Sequence, residues 1–219
     1  MKPEIVQSPD RPVRPRDAAS LVLVDMREGV PHVLMGRRHS RMVFVPDAFV
    51  FPGGKLDPED LRARPATALP AAAAFGRKAQ ALAMAAIRET FEETGLMIAA
   101  PGDVGEAGGE SWPQFRASGI APKLDALICL ARAITPAWSP IRFHARFFSA
   151  SASAAQGTLA GSGELEELDW YPISEALKLP VIDVTEFVLH EIGRRATQKA
   201  QGGVPLFCYR NNQPVIRRR

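Results

Sequence analysis

The sequence predicts an α/β fold in which a mixed sheet lies between helices. Three observations carry this expectation. β-rich runs bounded by Gly, Pro and charged turns are interspersed with helical segments along the whole chain. One of those segments, residues 79–94, is a long helix with an apolar side and an acidic side. Strands and helices follow no regular βαβ period and no internal repeat, which favours a mixed over a purely parallel sheet. At 219 residues and 46% hydrophobic content the chain can bury one core, so a single domain is expected over 18–200.

Residues 1–17 are rich in Pro and charge and contain no apolar stretch; they read as a flexible arm, not a secretory signal. Residues 19–25 (Ala-Ser-Leu-Val-Leu-Val-Asp) and 30–36 read as two strands joined by a turn at Arg27, Glu28 and Gly29. A short strand at 48–51 enters the Pro52-Gly53-Gly54 turn. An irregular Ala-, Pro- and Arg-rich segment over 58–78 precedes the long helix, for which Pro70 or Ala71 is an alternative start. A Gly-rich loop at 101–109 leads to a short helix at 112–118. Strands follow at 126–134 and 143–150, and the small, polar run 151–163 reads as a mobile loop. Residues 165–171 form a further strand, 173–179 a short helix and 184–197 a longer one. The tail over 201–219 is expected to be irregular apart from a final strand at 205–209.

The bulk numbers exclude several classes. A net charge of +3 is only mildly basic, and part of it sits in Arg217, Arg218 and Arg219, a solvated tail and not a nucleic-acid surface. No apolar run approaches the ~20 residues that span a bilayer. Cys129 and Cys208 lack metal-type spacing, and Cys129 within Leu127-Ile128-Cys129-Leu130 reads as a small buried hydrophobe. The expectation is a soluble cytoplasmic protein with no nucleic-acid or membrane partner.

The chemistry concentrates in the run from Arg88 to Leu96. Glu89, Glu92 and Glu93 stand at i, i+3 and i+4, the spacing that gathers side chains on one helix face. At about 100° per residue, Met84, Ile87 and Phe91 fall on the opposite face, and Gly95 closes the helix. Carboxylates this close repel and raise one another's pKa unless a cation joins them. Hard oxygen ligands suit Mg²⁺ or Mn²⁺. A solvated acidic face is the bland alternative for an isolated Glu-x-x-Glu-Glu. Two additions weigh against it. Arg88 is placed to fix a carboxylate by a charged hydrogen bond, and Gly53-Gly54 lets backbone approach a ligand closely.

These residues resemble the Nudix hydrolase family, whose signature is G-x5-E-x7-R-E-U-x-E-E-x-G-U with U bulky and aliphatic. Arg88, Glu89, Glu92, Glu93, Gly95 and Leu96 match the second half, with Thr90 at the first U. Gly54 matches the first half, with Asp60 in place of the upstream acid. The stretch between Asp60 and Arg88 exceeds the family's seven residues by about 20, an insertion near 61–79 that loop entropy tolerates. Aligned backwards from Arg88, the acid position falls on Gln80 instead. A box split in this way is similar to a Nudix subgroup that includes a peroxisomal coenzyme A diphosphatase. The phrases 44–54, Ile134-Thr135-Pro136, Arg142-Phe143, Arg146-Phe147-Phe148 and 170–177 resemble that subgroup too.

The resemblance implies an α/β/α sandwich around a mixed sheet, and cleavage of a nucleoside diphosphate linked to another moiety. It implies Glu89, Glu92, Glu93 and the carbonyl of Gly53 as ligands for Mg²⁺ or Mn²⁺, with Arg88 orienting a helix carboxylate. The general base is Glu89 or an acid of the later loop, where Glu164, Glu166 and Glu167 are candidates. Arg37, Arg38, Arg41, Arg142 and Arg146 are candidate phosphate contacts, and Trp138 a candidate stacking surface; His39, His144 and His190 receive no role. A second motif of bacterial coenzyme A enzymes is only partly met. Leu34-Met35-Gly36-Arg37-Arg38 fits its start, but its second arginine and its glycine fall on Val43 and Asp47. Coenzyme A or an acyl-CoA is the leading substrate, with ADP-ribose, dinucleotides or nucleotide sugars as alternatives. A non-catalytic nucleotide sensor on the same scaffold is the competing class.

Overall fold

Strand β1 (Arg16–Arg27) organises the sheet and passes into β2 (Val30–Arg38) through Glu28 and Gly29. Both turn residues have positive φ, 48° and 79°, as a two-residue hairpin turn matched to strand twist requires. The computed structural model describes residues 13–42, 44–74, 76, 78–197 and 203–218. Residues 1–12 of the expected arm, Val43, and Gln201 and Gly202 of the tail lie outside these, while Arg16 and Asp17 already belong to β1.

Beyond β2 the chain forms β3 (Phe49–Val50) and β4 (Gly53–Lys55), then two 3-10 turns at Pro58–Leu61 and Ala71–Ala73. Helix α1 (Ala79–Thr94) starts at the later of the expected positions and ends at Gly95, whose φ of 72° allows its N–H to bond the carbonyl of Phe91 at 2.8 Å. Short strands β5 (Leu96–Met97) and β6 (Ala99–Pro101) follow, then α2 (Trp112–Ala117) and β7 (Ile120–Pro122). The long strands β8 (Ile128–Ile134) and β9 (Phe143–Ser151) lead to β10 (Gln156–Gly157) and β11 (Leu165–Pro172). Helices α3 (Ile173–Ala176) and α4 (Asp183–Thr197) precede a C-terminal hairpin of β12 (Leu206–Arg210) and β13 (Gln213–Arg217). β12 is the expected final strand, and β13 stands where the rest of the tail was expected to be irregular. The hairpin's turn at Asn211 and Asn212, both at positive φ, is a hairpin signal that composition alone obscured.

The main sheet runs β11-β2-β1-β9-β8-β12-β13, with β3 added beside β2 and β4 beside β1. β1 lies parallel to β9 and β12 parallel to β8, whereas the other pairs in this sheet are antiparallel. The mixed sheet is therefore as predicted. Strand alternation gives it two greasy faces. Ala19, Leu21 and Leu23 of β1 pack under α1 with Met84 and Ile87. Val22, with Val33 and Met35 of β2, packs under α4 with Phe187, Val188 and Ile192. The result is an α/β/α sandwich. Leu21, Leu23, Met84 and Ile87 are fully buried, each worth roughly 1.5–3 kcal/mol.

Two expectations are corrected. The first half of α1 is not two-faced: Ala81 through Ile87 are buried all round. The insertion and the 102–127 excursion cover the outer side with Ala63, Ala73, Val104, Trp112 and Phe115, and the alanines of α1 allow that close approach. The run 151–163 is not free either. β10 pairs with β5, and the N–H groups of Ala160 and Ser162 bond the carbonyls of Thr94 (2.9 Å) and Glu93 (3.4 Å), satisfying open carbonyls at the end of α1. Among the described residues no helix is long and apolar enough to cross a membrane.

Candidate active site

The site lies where β4 meets the last two turns of α1. β4 pairs with β1 so that Gly53 stands opposite Ser20 and Gly54 opposite Ala19. A Cβ on Gly53 would sit 2.4 Å from the Ser20 hydroxyl, and one on Gly54 would sit 2.3 Å from the carboxyl carbon of Glu89. Gly53 is thus demanded by contact with the backbone of β1, whereas a methyl on Gly54 would displace the Glu89 carboxylate. The N–H of Gly53 donates to Glu93 Oε2 at 2.9 Å, so its amide meets Glu93 while its carbonyl was the group expected to act.

Arg88 is the electrostatic centre. Its Nε and Nη2 donate to Asp60 Oδ1 (2.7 Å) and Oδ2 (3.0 Å) in a fork. Its Nη1 donates to Glu89 Oε1 and Glu92 Oε2, both at 2.9 Å, and Nη2 also reaches the carbonyl of Lys55 at 3.0 Å. Burial works against the cation, but the Asp60 bond and the fields of Glu89, Asp60 and Glu92 outweigh it and hold the Arg88 pKa above its ordinary value. Asp60 is 1% exposed and is itself held by the local turn: Asp57 caps Glu59, and the Asp57 N–H bonds Asp60 Oδ2 at 2.8 Å. The split box is therefore closed in space, with the acid at Asp60 and not at Gln80.

The three helix carboxylates differ. Burial pushes Glu89 up to about 7, with Arg88 pulling the other way and Glu92 adding to the rise. Burial likewise pushes Glu93, 5% exposed, up to about 8; the Gly53 amide opposes this, while Glu89 and Glu164 reinforce it. Glu92 turns aside, its Oε1 accepting from the Ser111 hydroxyl at 2.5 Å and its Oε2 from Arg88. Among the described residues no three acidic, His or Cys side chains form a ready cation cage. Glu89, half-buried, and Glu93, buried, are two hard oxygen donors whose charge is penalised, and Glu92 stands on the same ridge. This donor set fits a divalent cation.

Glu89, Glu93, Gly53 and Gly54 open into a cavity of about 630 Å³. Glu164 lines it as well, and its carbonyl accepts from the His39 N–H at 3.2 Å. Glu166 and Glu167 do not line it. Arg37 takes them at 2.7 and 2.8 Å, where the register of β11 shifts and Glu167 adopts a φ of 49°. Of the candidate arginines, Arg38, Arg41 and Arg142 line the cavity. Arg37 is spent on Asp47, Glu166 and Glu167, and Arg146 is buried between the cavity-facing neighbours Ala145 and Phe147. Trp138 packs edge-on to Tyr209 and does not line the cavity. The cavity also has an aromatic lining of Phe44, Phe51, Phe143, Phe147, Phe207 and Tyr209. Sequence reading missed this lining and Ser111; the aromatics come from four separate segments, and Ser111 has no spacing relation to Glu92.

A model of the NUDIX domain matches residues 14–188 of this chain. The protein belongs to the Nudix family. A NUDIX hydrolase from Alicyclobacillus acidocaldarius is similar over 81% of this chain and 90% of its own, with 30% identity and a TM-score of 0.67. The MutT protein from Bacillus halodurans shares the fold at 14% identity and a TM-score of 0.52, over 93% of this chain and 97% of its own. A MutT NUDIX hydrolase from Burkholderia pseudomallei does so at 17% identity and a TM-score of 0.50, over 82% and 99%. No curated protein matches the chain. It is accordingly an enzyme, a Nudix-type diphosphatase acting on nucleoside diphosphate derivatives, and Nudix enzymes generally use divalent metal ions. In this Nudix protein Glu89, Glu92 and Glu93 all lie on α1.

Proposed function

We propose that this enzyme hydrolyses the diphosphate of a nucleoside diphosphate carried on a second organic moiety, using Mg²⁺ or Mn²⁺, with coenzyme A or an acyl-CoA as the leading substrate. The observation that supports it is a single cavity that brings the acids Glu89 and Glu93 and two glycines together with six aromatic residues. A volume of about 630 Å³ suits a whole organic group and not a bare phosphate. The split box and the partial 34–38 motif add to the coenzyme A reading.

Glu89 and Glu93 would hold the ion, with Glu92 and the Gly53 carbonyl as further ligands, and a divalent ion there supplies neutralisation of the diphosphate charge and a more acidic water. Arg88 fixes the rotamer of Glu89 and links it to Asp60. Glu164 faces the cavity and takes the proton of the attacking water; Glu89 serves where Glu164 does not reach. Arg38 and Arg41 meet phosphate oxygens at the rim, and the phenylalanines exclude water around the organic group. The new P–O bond forms from water as the bridging P–O bond breaks, leaving two phosphate-ended products.

A panel of CoA, acyl-CoA, ADP-ribose, NADH and diadenosine polyphosphates, assayed with Mg²⁺ or Mn²⁺, tests this reading alongside Glu93→Gln. The expected loss for that variant is at least ~10²-fold in kcat. A variant equal to the parent on the best substrate would remove Glu93 from the reaction. Preference for ADP-ribose or a dinucleotide would displace coenzyme A while keeping the chemistry.

A further inference from the structure

A second cavity, about 430 Å³, lies beside the first and is lined by Arg14, Pro15, Arg16, Asp17, Lys78, Ile134 and His144. Arg16 and Ile134 line both, so the two spaces adjoin. Three cations face one carboxylate here. Lys78 reaches Asp17 at 2.8 Å, which leaves the charges of Arg14 and Arg16 without an acidic partner among the described residues. Burial and the nearby Arg146 hold His144 below its ordinary pKa, so at neutral pH it enters as an uncharged imidazole able to donate one hydrogen bond.

The segment carrying Arg14 and Arg16 is fixed in place. Arg142 Nη1 donates to the carbonyl of Val13 at 2.8 Å, the Arg16 N–H donates to the carbonyl of Arg142 at 2.9 Å, and Arg16 pairs with Phe143 in the ladder. Lys78 stands immediately before α1, held against β1 through Asp17. Along β1, Arg16 is four residues from Ser20, the partner of Gly53, which is about 13 Å of strand. That is the scale of a nucleoside with groups on both ends of its ribose, shortened by the reach of an arginine.

We propose that this second cavity binds a phosphate monoester carried on the nucleoside part of the substrate, apart from the diphosphate. The inference rests on the first cavity being the diphosphate site. The ligand chemistry is a ribose-linked phosphate dianion, for which a guanidinium fork and an ammonium are suited partners. Such a group separates coenzyme A from its dephosphorylated form, and NADPH from NADH.

The test is equilibrium binding, read by calorimetry, of adenosine 3′,5′-bisphosphate against AMP, with the parent and with Arg14→Gln and Lys78→Gln. The parent is expected to bind the bisphosphate at least about tenfold tighter, and each variant to cut that ratio to about threefold or less, as loss of one charge-assisted contact implies. The ratio should also shrink in high salt, because the arginines are exposed. Equal affinity of the parent for the two ligands, or a ratio untouched by both variants, overturns the proposal. A parallel comparison of kcat/KM for CoA and 3′-dephospho-CoA separates the two claims. If neither is cleaved, the coenzyme A reading falls while the binding ratio still judges the second cavity; if both are cleaved equally well, the second cavity is not a substrate subsite.

Discussion

Replacing Asp60 by Asn removes the charge that neutralises Arg88 and leaves the geometry of the turn nearly intact. Arg88 is 11% exposed at its side chain and Asp60 not at all, so the pair is a buried one. Breaking one partner of a buried pair costs about 3–5 kcal/mol, because the surviving charge is left without compensation. Part of that is recovered here, since Arg88 keeps Glu89, Glu92 and the carbonyl of Lys55. The expected destabilisation for Asp60→Asn is therefore about 2–4 kcal/mol, a large share of the 5–15 kcal/mol typical of a folded domain. Urea unfolding measures it as a lowered midpoint at constant slope. A double-mutant cycle with Arg88→Met isolates the pair and should give a coupling above about 1.5 kcal/mol. The comparison is Lys178→Met, which breaks an ion pair to Glu175 whose partners are 70% and 54% exposed; it should cost no more than about 0.5 kcal/mol. If Asp60→Asn behaves like Lys178→Met, the spatial closure of the split box is not what holds Arg88.

Glu89 and Glu93 have folded-state pKa values raised to about 7 and about 8. In the absence of divalent ions the native state keeps protons that the unfolded chain releases, so stability should fall as pH rises from about 4.5 to 8; Mn²⁺ should therefore raise Tm more at pH 8 than at pH 5.5, and an equal increment would contradict this. Gly54→Ala places a methyl on the Glu89 carboxylate, and a folded protein with kcat lowered at least about tenfold is expected; circular dichroism and initial rates together decide it. Ser111→Ala frees Oε1 of Glu92 and should change Mn²⁺ affinity by about tenfold in calorimetric titration, whereas an unchanged value would leave Ser111 a packing residue only.

Much of the scaffold was legible because it follows from local rules. The Glu28-Gly29 turn, the end of α1 at Gly95 and the alternation of β1 each depend on a few neighbouring residues. The acidic ridge Glu89, Glu92 and Glu93 is likewise a consequence of helical spacing. The choice among Glu164, Glu166 and Glu167 was not legible. It turns on a register shift in β11 and on Arg37, which lies on another strand and captures two of the three.

By itself the chain's order of residues determined the class of fold, the helix that bears the acids and the Pro-Gly-Gly turn, since these arise from period, capping and turn composition within short windows. Only the tertiary structure decided that Asp60 closes on Arg88 across the insertion, that Glu92 is held aside by Ser111, and that six aromatics from distant segments wall one cavity. The physical reason is that these contacts are long-range: each depends on which faces meet when the sheet is assembled, and side-chain pairing across such distances leaves no periodic trace along the backbone.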